Sequence, residues 1–210
     1  NDSYNGLRAY RDHFKDQYHD FVVLKGMEYD TIDAGHILVI LPENVKLLLM
    51  ECRGLPVRVL QEVVHRHGGI LGPAHPCGER HLSITRTRAY RKNPDIMKNF
   101  DFLEAFNACE SQESNSEARK LALCYNLPMF GGSDSHHPDC VGTAYTELAA
   151  NITSESDLIQ YIREKRNTSY GGEYYQGTVK GKIGVFNHVL VEGFWFYNRF
   201  ASLYRHHKRK

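Results

Sequence analysis

The sequence predicts an α/β domain in which short strands alternate with helices, arranged as a barrel or as an open parallel sheet. Three observations favour this class. Short apolar runs recur along the 210 residues. Segments with apolar residues at helical spacing separate these runs, and two capping-box patterns mark helix starts within them. The length fits one domain of ordinary size, and a hydrophobic content of 41% is enough for a sizeable core.

The predicted strands are short apolar runs, several of them rich in β-branched residues. In chain order they are 21–24, 36–41, 70–74, 102–106, a fifth that begins at 129–130, 143–146 and 168–170. Because a helical segment follows most of them, we expect neighbouring strands to run parallel.

The predicted helices are set by start and stop signals. Residues 6–18 read as the first helix, and Pro56 starts the next, which Gly68 and Gly69 end. Capping boxes predict the starts of the two later helices, and they pair Ser114 with Glu117 and Ser154 with Asp157.

The composition argues against several classes of protein. The formal net charge is +1, which is too small for a dedicated nucleic-acid-binding surface. The five cysteines are odd in number and form no Cys-x-x-Cys pair, so neither a disulfide framework nor a zinc knuckle is expected. No secretory n-region and no apolar run of membrane-spanning length is present, so we expect a cytoplasmic protein without a transmembrane segment. The twelve histidines are the unusual feature, since histidine is the commonest metal ligand.

The C-terminal residues 183–210 differ from residues 1–182. They are rich in aromatic side chains and end in a basic run. We expect a helix that packs its aromatic face on the domain. The alternative is a helix that binds a membrane surface or a partner, including a second copy of the chain.

Side chains of metal-ligating type lie next to the predicted strands. Glu28 follows the first strand, with His36 eight residues further on, and His75 follows the third. Asp134 and His136 follow the fifth strand and lie two residues apart, so on an extended backbone they project to the same side. In a parallel α/β barrel the C-terminal strand ends share one rim, where function concentrates. Each residue alone has an ordinary structural interpretation, but their joint placement favours a shared site.

Imidazoles with carboxylates suit divalent Zn, Mn or Fe ions. Such a cluster can generate hydroxide at neutral pH and clamp the oxygens of a phosphoryl group. His81, Arg86 and Arg88 lie near His75, and they are the candidates for binding the phosphate of a substrate. A solvated basic loop is the alternative interpretation of the arginines. Cys77 is interpreted as a small bystander, with a soft metal ligand as the alternative. His65 and His67 lie at a predicted helix end and are not counted as ligands.

The ordered motifs resemble those of a known family. Gly26-Met27-Glu28 with His36, Ala74-His75-Pro76, and Gly131-Gly132-Ser133-Asp134-Ser135-His136 followed by Val141-Gly142 look like successive motifs of the polymerase and histidinol phosphatase (PHP) family. Residues 102–107 are similar to the segment between the last two motifs, and the match spans residues 1–172.

The resemblance implies a fold, an activity and a ligand set. It implies a distorted (β/α)7 barrel over residues 1–182, N-terminally truncated, followed by the C-terminal aromatic helical segment. The implied metal ligands are Glu28, His36, His75, Asp134 and His136, with Glu28 bridging two ions. The catalytic roles fall on Asp134, His136 and His75. A complete family site holds up to three ions, and fewer are expected here.

The chain also departs from the family pattern. The family opens with a strand ending in His-x-His, then supplies another carboxylate or histidine and a Thr-Asp-His motif. None of these is present, and residues 1–6 resemble the family's segment immediately after the Thr-Asp-His motif. We expect either that an N-terminal piece is missing or that the chain is a diverged, incomplete member, and we favour the first. An exposed barrel edge is then a second route to oligomers.

The predicted function is metal-dependent hydrolysis of a phosphoester by a metal-bound hydroxide. The expected substrate is the phosphomonoester of a small molecule or a nucleotide. Phosphotyrosine peptides and nucleic-acid ends are alternative substrates. The alternative function is a catalytically silent barrel remnant that acts as a binding or assembly module.

Overall fold

The computed structural model describes residues 21–78, 82–135, 138–175 and Gly193. This part of the chain contains seven short strands and four helices. The strands are β1 (Met27–Asp30), β2 (His36–Ile40), β3 (Ile70–Pro73), β4 (Leu103–Asn107), β5 (Met129–Gly132), β6 (Ala144–Leu148) and β7 (Thr168–Gly172). The helices are α1 (Val57–Arg66), α2 (Arg88–Lys92), α3 (Gln112–Tyr125) and α4 (Glu155–Arg163). Short 3-10 turns occupy Leu48–Glu51, Ile84–Arg86, Pro94–Asn99 and Pro138–Cys140.

The predicted distorted (β/α)7 barrel is wrong. Over the described residues the strands form three small sheets, and no closed barrel is present. The order β1-β2-β3 is antiparallel throughout, β4 and β5 pair in parallel, and β6 and β7 pair antiparallel. The connection 31–35 explains the first difference, because parallel neighbours need a crossover of about a dozen residues or more.

Most predicted elements are confirmed, with two corrections near their ends. Residues 21–26 have no regular structure, so the first strand begins later than predicted, at Met27. The helix α3 begins one turn before its predicted start, because the Ser111 hydroxyl accepts the Ser114 backbone N–H at 3.1 Å. The cap at Ser154 is confirmed, since its hydroxyl accepts the Asp157 N–H at 3.1 Å.

Side-chain alternation along the strands separates the two main hydrophobic cores. In β3, Leu71 joins the larger core and its neighbour Ile70 joins the smaller one. Leu103 and Phe102 divide in the same way at the start of β4. The larger core contains the buried residues of α1 and α3, including Leu60, Val64, Ala118 and Ala122, and the smaller core contains those of α4, Leu158, Ile159, Tyr161 and Ile162. Helices therefore cover both faces of the strands.

Side-chain hydrogen bonds join the three sheets to one another. The Asp101 carboxylate accepts the Leu71 N–H at 2.9 Å, and the Asp101 N–H donates to the Leu71 carbonyl at 2.9 Å, which holds β3 beside the start of β4. The Thr146 hydroxyl contacts both the N–H and the carbonyl of Gly131, at 2.9 and 3.0 Å, and joins β6 to β5. These contacts hold β3 beside the start of β4, and β6 beside β5.

Several predictions fall on other parts of the chain. The predicted helix 6–18 and nearly all of the segment 183–210 lie outside the described residues, so the domain boundary at 182 stays a prediction. Within the described residues, no helix combines the length and the apolar character that crossing a bilayer requires. The cytoplasmic location also stays a prediction.

Candidate metal centre

Glu28, His36 and His75 bring three donor atoms together. Glu28 Oε1 lies 2.8 Å from His36 Nδ1 and 3.1 Å from His75 Nε2, and the two ring nitrogens are 3.2 Å apart. Two donors that each lie about 2.1 Å from an ion, at right angles, are separated by about 3.0 Å. One carboxylate and two imidazoles are the donor set of many Zn and non-haem Fe sites. The three residues thus fit one divalent transition-metal ion with coordination positions to spare.

The antiparallel sheet explains why these residues meet. Glu28 and Asp30 share one face of β1, and the register places Asp30 opposite His36 at the start of β2. Because β2 runs antiparallel to β3, its first residue lies beside the last residues of β3, where the Ala74 N–H donates to the His36 carbonyl at 3.2 Å. His75 follows directly. The predicted shared rim of parallel strand ends is therefore wrong in its topology. Two of its residues, Glu28 and His75, are in contact, and the third donor is His36 at a strand start.

Asp30 fixes the orientation of the His36 ring. Asp30 Oδ1 lies 2.7 Å from His36 Nε2, and Arg53 Nη1 donates to Asp30 Oδ2 at 3.0 Å. A hydrogen bond from Nε2–H to a carboxylate leaves the Nδ1 lone pair free to bind a metal, and such outer partners orient metal-binding histidines in many proteins. Sequence reasoning missed Asp30. Its signal was the spacing of two residues from Glu28, which places both carboxylates on one face of a strand.

The centre is strongly polarised without an ion. Burial alone would lower the pKa of His36, but hydrogen bonds and charges from Asp30 and Glu28 raise it to about 9. Burial likewise opposes ionisation of Glu28, yet His36 and His75 hold the pKa of that carboxyl well below its usual range. A bound ion would displace the proton that Glu28 and His36 share, because metal ligands bind in their deprotonated forms.

The centre opens to solvent on its Glu28 side. The Glu28 side chain is 40% exposed, whereas those of His36 and His75 are 19% and 8% exposed. The His75 ring is buried with its Nδ1 3.4 Å from the Ser83 hydroxyl. Among the three donors, Glu28 is therefore the one most accessible to a ligand.

A second polar group surrounds Asp134. Asn107 Nδ2 donates to Asp134 Oδ2 at 3.2 Å and to Glu104 Oε2 at 3.0 Å, and Glu104 Oε2 also accepts the His75 backbone N–H at 2.6 Å. Asp134 is thus connected to the first group through two side chains, and within the described residues it is not one of the three clustered donors. Sequence reasoning named neither Glu104 nor Asn107 as a site residue. A charged residue inside an apolar strand was the available signal.

The other predicted site residues divide into two sets. His81 and His136 lie outside the described residues. Arg86 and Arg88 are exposed, and Arg86 Nε donates to the Gly78 carbonyl at 3.3 Å, with its Nη2 3.8 Å from Glu117. The roles of these residues in substrate binding stay predictions, as do the catalytic roles of Asp134, His136 and His75.

Residues that the sequence did not favour as ligands are occupied elsewhere. Cys77 is 4% exposed, and burial raises the pKa of its thiol to about 11, so it is not a thiolate at neutral pH. His65 Nε2 lies 2.9 Å from Asp101, and His67 Nδ1 lies 2.7 Å from the Val63 carbonyl.

The chain is similar to known proteins in one segment of its sequence and in its fold. Residues 112–167 match the family model described as PHP-associated, a range that contains Asp134. The crystal structure of PsfC from Pseudomonas syringae PB-5123 is similar with a TM-score of 0.54 and 16% identity, over 90% of this chain and 80% of that one. At this identity the likeness shows a similar fold and nothing further. No curated protein matches. The resemblance that the motifs predicted is thus confirmed in this segment: the chain carries a PHP-associated region over residues 112–167, consistent with a PHP-family protein.

Proposed function

We propose that this chain is a metal-dependent phosphoesterase that hydrolyses the phosphomonoester of a small molecule or a nucleotide. The observation that carries the proposal is the triangle of Glu28 Oε1, His36 Nδ1 and His75 Nε2, with sides of 2.8 to 3.2 Å. The PHP-associated segment supports the choice of phosphoester chemistry.

The roles of the chain's own residues follow from their surroundings. Glu28, His36 and His75 would hold the ion, and Asp30 orients the His36 ring for it. When bound, a divalent ion supplies Lewis acidity at a phosphoryl oxygen and lowers the pKa of a water molecule. The exposed side of Glu28 is the route by which a phosphoester reaches these donors.

The remaining roles rest on the sequence pattern. Asp134, with His136 two residues further on, provides further donors at the end of β5. We assign the binding of the substrate phosphate to the loop after His75, with His81, Arg86 and Arg88 as its cationic groups. Guanidinium groups suit this role because they contact two phosphate oxygens at once.

The test measures metal content and hydrolysis in the same preparations. Wild-type protein should bind Zn²⁺ or Mn²⁺ by elemental analysis after gel filtration and hydrolyse p-nitrophenyl phosphate with added metal. E28A, H36A and H75A should lose metal and activity together. The matched control is H65A, which removes an imidazole that pairs with Asp101 away from the centre and should keep both properties.

Each other outcome decides between the two functions. Wild-type protein that binds metal but hydrolyses neither p-nitrophenyl phosphate nor a panel of nucleotide monophosphates contradicts the phosphoesterase and favours a binding module. Wild-type protein that binds no metal contradicts the metal centre itself.

A further inference from the structure

Glu104 is a buried carboxylate in β4 that contacts the ends of two other strands. Glu104 is 6% exposed, and burial raises the pKa of its carboxyl group. Oε2 accepts the backbone N–H of His75 at 2.6 Å, after β3, and the Nδ2–H of Asn107 at 3.0 Å. Asn107 Nδ2 also contacts Asp134, after β5, at 3.2 Å. A buried carboxylate is costly unless its hydrogen bonds compensate, so its place here needs a reason.

The two residues connected to Glu104 both have left-handed backbone. His75 has φ +30° and Asp134 has φ +48°. Among the described non-glycine residues, the two others with positive φ lie at helix ends, where this conformation is ordinary: Asn126 ends α3 and Lys165 follows α4. Left-handed backbone at a non-glycine residue costs about 1–3 kcal/mol and persists only where neighbouring groups hold it.

The surroundings leave Glu104 and Asn107 little freedom to move. A Cβ atom at Gly132 would lie 2.3 Å from Glu104 Oε1, so the strand β5 packs directly on the carboxylate. Asn115, in α3, holds the backbone of Asn107 from the other side with hydrogen bonds of 2.9 and 3.0 Å. The carboxylate and the amide therefore form a fixed support beneath both strand ends.

We propose that Glu104 is a positioning residue that holds the backbone of His75 directly, and the carboxylate of Asp134 through Asn107, as one unit beside the metal centre. This inference rests on the proposed function for the purpose of the two ligands, but the geometry that it describes exists without an ion. It assigns Glu104 no contact with substrate or metal. Replacing its carboxyl group should disturb donors from two different strands at once.

The experiment compares E104Q with a matched control, E155Q. Glu155 is 2% exposed and accepts the backbone N–H of Lys25 at 2.6 Å, so it is a second buried carboxylate on a backbone donor, and it lies in α4 and not in a strand that carries a ligand. Zn²⁺ affinity is measured by competition with a chromophoric chelator. E104Q should bind Zn²⁺ about 10- to 100-fold more weakly, as expected for an outer partner of a metal ligand. E155Q should bind as the wild type does.

A double-mutant cycle tests whether Glu104 acts through Asp134. The combined loss of Zn²⁺ affinity in E104Q/D134N should be smaller than the product of the two single losses, because groups in one hydrogen-bonded network do not act independently. Equal Zn²⁺ affinities of E104Q and E155Q, or independent effects of the two substitutions, would overturn the proposal.

An NMR measurement separates this inference from the proposed function. A backbone amide that donates to a carboxylate at 2.6 Å has a strongly downfield proton, and the His75 amide should show it in metal-free wild-type protein and in E155Q but not in E104Q. Wild-type protein that binds no Zn²⁺ contradicts the metal centre, and the His75 amide still decides the positioning role. An unchanged His75 amide in E104Q would refute that role.

Discussion

Removing the Asp30 carboxylate tests the metal centre through a residue that is not one of its donors. Asp30 Oδ1 lies 2.7 Å from His36 Nε2, so the carboxylate keeps a proton on that nitrogen and directs Nδ1 toward Glu28 and His75. The proton that His36 gives up to an ion is then the one on Nδ1. In D30A the ring can rotate, or it can lose the Nε2 proton and keep the one on Nδ1, and either change must be reversed before an ion binds.

The magnitude follows from the type of hydrogen bond that is lost. A hydrogen bond to a charged group contributes about 1.5–3 kcal/mol. At 1.4 kcal/mol for each factor of ten, D30A should weaken Zn²⁺ binding about 10- to 100-fold. D30N keeps an oxygen that can accept the same proton, and the loss there should be less than about 10-fold, since only the charge is removed.

The assay is Zn²⁺ competition with a chromophoric chelator at pH 7.5, with thermal unfolding in EDTA as a check of the fold. D33A is the control, because Asp33 lies in the same turn but accepts the Val57 N–H at the start of α1, at 2.9 Å. D33A should lower the free energy of unfolding by about 1 kcal/mol and leave Zn²⁺ affinity unchanged. The reasoning is refuted if D30A and D33A bind Zn²⁺ equally well.

Three further changes test the packing and the charges around the centre. G132A should lower the free energy of unfolding by about 1–3 kcal/mol in urea titrations, because its Cβ would lie 2.3 Å from Glu104 Oε1, whereas G26A, with 3.5 Å to its nearest atom, should cost less. The free energy of unfolding of the metal-free protein should fall by about 3 kcal/mol as the pH rises from 6.5 through 9, in urea titrations at each pH. The folded state raises the pKa of His36 to about 9, so the protonated ring stabilises the fold at low pH and this contribution is lost as the ring deprotonates. H36Q should abolish the dependence. S111A should lower the melting temperature through a loss of about 1 kcal/mol, since Ser111 caps α3; an unchanged melting temperature would show that α3 begins elsewhere.

Periodicity predicted the elements better than their arrangement. Apolar alternation and helix-start signals located most strands and helices, because those patterns are local. Strand direction is not local, and it was predicted from an assumed sequence of strand–helix–strand units. The connection 31–35 was the available evidence against this, because it is too short to carry a parallel crossover.

The structure brings Glu28, His36 and His75 together through a different strand arrangement from the one expected. Glu28 and His75 were expected to meet as the ends of parallel strands, and the family resemblance added His36, which lies at a strand start. They meet because an antiparallel strand begins where its neighbour ends, so His36 at the start of β2 lies beside the residues that follow β3. Residue type and proximity to a strand end were sufficient to select them, whichever way the strands run.

The supporting residues could be predicted only in part. Asp30 follows from the register of a β1–β2 hairpin, which places it opposite His36. The role of Glu104 depends on left-handed backbone at His75, and no sequence rule predicts positive φ at a histidine after a strand. Such contacts between strands that are distant in the chain become visible only once the fold is known.

The two lines of support for a phosphoesterase come from different parts of the chain. The donor triangle is formed by Glu28, His36 and His75, and all three precede the PHP-associated segment 112–167 that contains Asp134. Neither part alone argues for the activity, since a cluster of three donors names no reaction and a family match names no geometry. Glu104 and Asn107 connect the parts by hydrogen bonds of 2.6 to 3.2 Å. Because Glu104 bonds to His75 directly and to Asp134 through Asn107, the donors and the matched segment belong to one polar network, and a substitution at Glu104 tests both parts together.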